Sequence, residues 1–295
     1  MSDWRAFAKL TLSLRVLRRR VDGYHELDAL TVSVRDPHDE IAIELGGTRR
    51  GGGIMLEVSG PAAAGVATGP DNLAVRAAQV LLDRADDEQR NAGVRIALHK
   101  RIPAGAGLGG GSADAAAVLV AADRLLELAT PADELAAIGA TLGSDVPFCL
   151  QGGAAYMRGR GERIEPTTVP ELFVVIAVPR FSIATPAVYR AWDDLDGPVS
   201  TREVPGPGGI GALANDLESA AERVEPRLVG FRTRLERAAG APAILAGSGS
   251  ACAVLYDDRA TAIAARDRVI TANIAPTCVV GVVCSTGVEE AMGEA

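Results

Sequence analysis

The sequence predicts an α+β protein of two lobes, one over residues 1–160 and one over 161–295. Two observations carry this expectation. Short β-branched runs fill the first third, long Ala-, Leu- and Val-rich stretches follow, and strand and helix patterns then interleave; elements ordered in this way pack as layers around apolar cores. At 295 residues the chain is also longer than one compact core usually runs.

The elements follow in order. Runs over 41–45, 54–58 and 94–98 are β-branched and bounded by Gly-rich turns such as 51–53, which predicts strands. Between the last two, residues 72–84 place Leu73, Ala77, Val80 and Leu81 at helical spacing, so one face packs on the sheet. A strand ending near Lys100 runs into a glycine-rich loop, and residues 112–128 then lack any breaker and predict a long, mostly buried helix. A second helix over 131–142 has proline at its start and Gly143 past its end. Residues 173–178 open a new strand set, and 197–211, rich in Pro and Gly, read as a loop with the composition of a mobile segment. A helix over 226–239, strands over 243–245 and 251–256, a helix over 260–271 and a closing strand over 278–284 complete the chain.

With 48% hydrophobic and 23% charged residues the chain has the composition of a folded globular protein. Its formal net charge of -8 argues against nucleic acid or an anionic membrane surface as the main partner. The short basic runs Arg18, Arg19, Arg20 and Arg49, Arg50 read as solvated surface beside turns. Asp3, Arg5, Lys9 and Arg15 interrupt the first twenty residues, so neither a secretory leader nor a membrane span is expected and the protein reads as cytoplasmic. Cys149, Cys252, Cys278 and Cys284 show no metal-binding or redox spacing and read as small buried hydrophobes. No heptad or interface signature indicates an oligomeric state. Only two of the 30 basic residues are lysines, Lys9 and Lys100, which singles out positions where a compact ammonium is preferred to a forked guanidinium.

The run IPAGAGLGGGSADAAA places Gly105, Gly107, Gly109, Gly110 and Gly111 between a strand and the long helix. Glycines there let backbone N–H groups face inward without a Cβ to block a phosphate, and the following helix adds its free amides and positive dipole end. Gly105, Gly107 and Gly110 satisfy GxGxxG, but the acidic residues about twenty positions on, Asp133 and Glu134, open a helix instead of ending a strand. The other common phosphate loop needs a lysine before its Ser/Thr, and here Ser112 follows Gly111 directly. A flexible linker is disfavoured by the ordered succession of strand, proline, glycines, serine and helix.

The segment resembles the phosphate-binding motif of the GHMP kinases: proline, a short spacer, Gly-Leu-Gly, small residues including serine, then alanines. The resemblance implies the two-lobed GHMP kinase fold, with an N-terminal ATP-binding and catalytic lobe and a C-terminal α/β lobe. It implies ATP and Mg²⁺, with Pro103, Ala104, Gly105, Ala106, Gly107, Leu108, Gly109, Gly110, Gly111, Ser112 and Ala113 around the nucleotide's phosphates. Asn72 in DNLAVRAA and Lys100 before RIPAGAG match positions the family places around adenine and ribose; alone, they read as a helix N-cap and a solvated strand end. No metal ligand set is legible.

Three further segments are similar to the branch whose acceptor alcohol carries a cytidine diphosphate: AFAKLTLSLRVLRRRVDGYHELDAL, LGSDVPFCLQGGAAYMRGRGERIEP and AGSGSACAVLY. By this resemblance Asp145 in GSDVPF takes the acceptor's proton and Lys9 keeps that carboxylate ionised and polarises the hydroxyl; alone, Asp145 reads as a turn residue. Tyr24 and His25 offer an aromatic face and a polar partner for cytosine, against the plainer reading of a packed pair. Thr185 in FSIATP, with Gly247 and Ser248, matches the substrate-side wall. Thr11 stands where the branch usually has asparagine, exchanging an amide for one short hydroxyl. Acceptors of the homoserine, mevalonate or sugar type remain open, as does nucleotide binding without turnover.

Overall fold

A computed structural model describes residues 2–46 and 52–291; Arg49, Arg50 and Gly51 lie outside them. The chain opens with two long antiparallel strands, β1 (Ser2–Arg19) and β2 (His25–Leu45). In β1 every even position from Trp4 to Val16 is buried, the period-2 pattern of a strand with one face on the core. Lys9, Thr11, Ser13 and Arg15 therefore share the opposite face. The pairing slips between Thr11 and Ser13, an irregularity of the kind that re-aims side chains beside sites.

Next come β3 (Ile54–Ser59), α1 (Leu73–Leu82), α2 (Asp87–Ala92) and β4 (Val94–His99), with β3 parallel to β4 and β4 antiparallel to β2. The glycine loop leads into α3 (Gly110–Leu125), followed by α4 (Ala132–Leu142) and α5 (Val146–Gln151). Helix α3 starts two residues earlier than its sequence suggests. Gly109, left-handed at φ 69, turns the chain into it, and Gly110 sits where a Cβ would press on Ile102 at 2.9 Å. Close packing thus overrides glycine's low helix propensity. Ten of α3's residues are buried, including Ala115, Ala116 and Ala117, so it is the small-residue spine on which β1, β2, α1 and α5 rest.

Strands β5 (Ala154–Gly159) and β6 (Arg163–Thr167) form a hairpin on β2. They are followed by β7 (Phe173–Val178), α6 (Thr185–Asp194), the short pair β8 (Val204–Pro205) and β9 (Ala212–Leu213), α7 (Glu218–Val224) and α8 (Arg227–Ala239). Then come β10 (Ile244–Leu245), β11 (Cys252–Tyr256), α9 (Arg259–Thr271), β12 (Thr277–Cys284) and β13 (Val288–Glu290). Among the described residues one sheet of eleven strands has the main order β10-β11-β7-β12-β2-β1-β13. The closing strands cross back: β12 pairs with both β7 and β2, and β13 pairs with β1.

The Pro/Gly-rich stretch 197–211 is tied down. Trp192 Nε1 donates to the Pro198 carbonyl, Ser200 N–H donates to Asp216, and Arg202 pairs with Glu218 and Glu236. Turn composition here specifies bends, while buried charge fixes the path. Among the described residues the cysteines are free thiols, with Cys149 and Cys252 buried, and no helix is long and apolar enough to cross a membrane.

Candidate active site

A cleft of about 800 Å³ opens between the β1–β2 face, the glycine loop, α6 and the turn after β10. Residues 103–112 form one wall of it. The loop is held from two sides: Lys9 N–H donates to the Leu108 carbonyl at 3.0 Å, and Ala251 N–H to the Ala106 carbonyl at 3.0 Å. Gly107 has φ 82, and a Cβ there would run into the Ala246 carbonyl oxygen. At Gly109 a Cβ would meet Lys9 Cγ at 2.6 Å, so this glycine makes the channel through which the lysine reaches the cleft. The first turn of α3 receives no side-chain cap, leaving amides and the positive helix end facing the cleft beside Ser112.

Lys9 extends across this loop to Asp145, with Nζ 3.3 Å from Oδ2. Asp145 lies in the turn before α5, at its N-cap position, and its side chain makes no capping bond, which leaves the carboxylate to Lys9. Lys9 Nζ also donates to Thr11 Oγ1 at 3.4 Å, and Thr11 Oγ1 lies 3.4 Å from Thr31 Oγ1. The hydroxyl at position 11 is therefore one link in a short chain from the lysine into β2. On the far wall Thr185 Oγ1 and Ser248 Oγ are 2.8 Å apart, and Gly247 lies with its Cα side toward Lys9 Nζ. A carboxylate braced by an ammonium, beside a set of unpaired amides, is suited to taking a proton from a hydroxyl while an anionic group is held close.

Tyr24 and His25 both line the cleft but do not face each other as a pair. His25 is buried, stacked on Tyr189 with ring centroids 4.7 Å apart and edge-on to Trp192 at 5.4 Å. Its Nε2 lies 2.8 Å from Asp193 Oδ1, and a carboxylate acceptor there places the ring proton on Nε2 and leaves Nδ1 as an acceptor. Tyr24 is 55% exposed at the lip, its ring under the Arg160 guanidinium at 5.0 Å.

Three expected positions do not present side chains to the cleft. Asn72 caps α1, accepting from Ala74 N–H at 2.8 Å, and donates to the Ala67 carbonyl of the preceding loop at 2.7 Å. Lys100, only 3% exposed, is enclosed by Asp39 and Asp114. Burial would lower its ammonium's pKa, but the charges of Asp114 and Asp39 outweigh that and hold it above its usual value. Ala113 is packed in the core. Conversely, Tyr189 and Asp193, which line the cleft, and Trp192, which packs edge-on against His25, are not singled out by the sequence, although their spacing of three and four on α6 is the signature of one helical face. Arg160 and Arg190 also line the cleft.

The family model for the GHMP kinases N terminal domain matches residues 72–153. A curated relative from Moorella thermoacetica, 4-diphosphocytidyl-2-C-methyl-D-erythritol kinase, is 40% identical over 270 residues, covering 87% of this chain and 90% of that protein. A crystal structure of 4-(cytidine 5'-diphospho)-2C-methyl-D-erythritol kinase superposes with a TM-score of 0.77 at 36% identity, covering 95% of this chain and 98% of that one. L. major mevalonate kinase in complex with R-mevalonate shares the fold at a TM-score of 0.67 and 14% identity, over 96% of each chain.

Proposed function

Since the chain belongs to the 4-diphosphocytidyl-2-C-methyl-D-erythritol kinase family of the GHMP kinases, we propose a reaction in which Asp145 and Lys9 act on the acceptor's 2-hydroxyl while the glycine loop holds ATP. The protein is a small-molecule kinase of the non-mevalonate isoprenoid route that phosphorylates this cytidyl alcohol with ATP. The residue roles are our reading, and the observation that carries it is the Lys9–Asp145 contact of 3.3 Å beside the glycine loop.

Asp145 accepts the hydroxyl proton as the oxygen bonds to the γ-phosphorus and the bond to the β-phosphate oxygen breaks, leaving ADP. Lys9 offsets the negative charge of the transferring oxygens, and the amides of 105–112 with the α3 N-terminus hold the nucleotide's phosphates. Thr11, Thr185, Gly247 and Ser248 border the alcohol, and His25 presents Nδ1 to the amino edge of cytosine. Mg²⁺ fits this site: the Ser112 hydroxyl offers an oxygen in the cleft beside the glycine loop, and this ion usually keeps several waters and is held in large part by substrate phosphates. It would supply charge neutralisation at the phosphates. The lobes over 1–160 and 161–295 contribute the phosphate loop and the far wall respectively, with the cleft between them.

A coupled ADP-release assay with ATP, Mg²⁺ and the cytidyl alcohol, run beside homoserine, mevalonate and galactose, tests the reading. Turnover confined to the cytidyl compound supports it and shows Thr11 to be compatible with that acceptor. Turnover on another alcohol, or ATP binding without turnover, overturns it.

A further inference from the structure

Arginine in this chain is mostly neutralised: Arg15, Arg20, Arg95, Arg202 and Arg232 each pair with at least one carboxylate within hydrogen-bond range. The cleft departs from that pattern. Arg190 lines it and, among the described residues, no hydrogen bond or ion pair engages its guanidinium. Arg160 also lines it and reaches only Glu162, at 3.9 Å, while lying 5.0 Å over the Tyr24 ring. The remaining cleft cations are engaged, Lys9 with Asp145 and Arg19 with Asp193 at 3.6 Å.

Both guanidinium groups, Arg190 without an ion pair among the described residues and Arg160 with a long one, adjoin the base-holding side chains. Arg190 follows Tyr189, whose ring stacks on His25, and Arg160 covers the ring of Tyr24. Resting on the reading of a cytidyl diphosphate acceptor, we infer that Arg160 and Arg190 form a clamp for the two phosphates that link cytidine to the alcohol. Such a substrate spans from His25 to the Lys9–Asp145 pair, so its diphosphate crosses the segment of cleft between them. That group brings two negative charges into an acidic protein, and planar five-donor forks suit it better than ammonium groups. The glycine loop serves the other nucleotide through backbone amides, so the two phosphate sites differ in kind: amides for ATP, guanidinium side chains for the acceptor. The clamp makes Arg160 and Arg190 specificity-determining residues that select a nucleoside diphosphate alcohol over a small free alcohol.

The test is calorimetric titration of CDP and cytidine into the wild type and into Arg160→Ala, Arg190→Ala and Arg190→Lys. Wild type should bind CDP at least about a hundredfold more tightly than cytidine, and each alanine variant should close that gap by about tenfold with cytidine affinity unchanged, as loss of a charge-assisted contact implies. Arg190→Lys should recover part of the gap, and log Kd for CDP should depend less steeply on salt in the alanine variants. A general loss of structure would weaken both ligands together and leave the ratio intact. Wild-type binding of both ligands, with an unchanged ratio in alanine variants that keep wild-type cytidine affinity, overturns the clamp alone. Failure of wild type to bind either ligand overturns the acceptor reading, and the clamp with it.

Discussion

The Lys100 ammonium lies 2.6 Å from the Asp114 carboxylate, with Asp39 closing the other side. The three groups join β2, the end of β4 and the first turns of α3. Asp39 also accepts the backbone N–H groups of Arg101 and Ile102, so the cluster fixes the strand end from which the glycine loop departs. Lys100→Met leaves two carboxylates facing each other in the core. Removing one partner of a buried ion pair costs about 3–5 kcal/mol, and that loss should be read in urea unfolding; a change under 1 kcal/mol would show that the ammonium is dispensable.

The same cluster predicts a pH dependence. Burial pushes the Asp114 carboxyl well above the usual carboxylate range, and Asp39 adds to this, against the pull of Lys100. In the window between the ordinary carboxylate pKa and this raised one, the folded state binds more protons than the unfolded state. The wild type accordingly loses stability as pH rises through that window. Asp114→Asn removes the titration, so its stability relative to wild type should improve as pH rises and then level off. Melting temperatures of the two proteins, measured side by side from the ordinary carboxylate pKa of about 4 upward until their difference levels off, check the sign. A constant difference would place the titration elsewhere.

Much of the site was legible because glycine and lysine are informative when their context is restrictive. Strand, glycines and helix occur in order around 103–117, and the loop stands where that order puts it. The strand over residues 2–19 is not among the elements expected from the sequence, although its even positions from Trp4 to Val16 are apolar and buried and alternate with Lys9, Thr11, Ser13 and Arg15; few β-branched residues and the buried odd-position Phe7 hide that period. Two features resist a linear reading. Whether Lys100 faces a ligand or two buried carboxylates depends on Asp39 and Asp114, which lie 61 and 14 positions away. The His25 environment depends on Tyr189 and Asp193, brought in by α6 from the other half of the chain. Sequence spacing marks one helical face but does not say which distant residue that face meets.

The Lys9–Asp145 contact predicts a loss confined to the chemical step. Asp145→Asn keeps shape and removes the proton acceptor, so kcat should fall by about 10² to 10⁴, with ATP affinity largely intact. Single-turnover ADP formation and equilibrium ATP binding separate the two effects. Near-wild-type turnover would remove Asp145 from the mechanism.

Gly109 supplies a different probe of the same pair. Its φ of 69 and the 2.6 Å approach of a Cβ to Lys9 Cγ mean that Gly109→Ala both strains the turn and pushes the lysine off its path. Left-handed strain costs about 1–2 kcal/mol per residue, a loss that leaves a folded protein. Displacement of Lys9 from Asp145 should reduce kcat by at least about tenfold, as a misplacement near 1 Å commonly does. Retention of full kcat at a reduced melting temperature would show that Lys9 reaches Asp145 by another route.

The His25–Asp193 bond makes the last prediction one of base selectivity. With Asp193 accepting from Nε2 at 2.8 Å, the imidazole presents Nδ1 as an acceptor, which matches the 4-amino group of cytosine and opposes the 4-oxo group of uracil. Asp193→Asn is isosteric, but its amide can donate as well as accept, so the ring proton is free to move to Nδ1. The histidine would then face the base with a donor. Affinity for CDP should fall about tenfold, the size of one lost hydrogen bond in a buried site, while UDP improves or holds and ATP affinity stays constant. Competition titrations with CDP and UDP read the ratio directly, and because Tyr189 and Trp192 still enclose the ring, a purely structural disturbance would weaken both pyrimidine nucleotides alike. If Asp193→Asn leaves the CDP to UDP ratio of wild type intact, selectivity for cytosine rests on groups other than this tautomer.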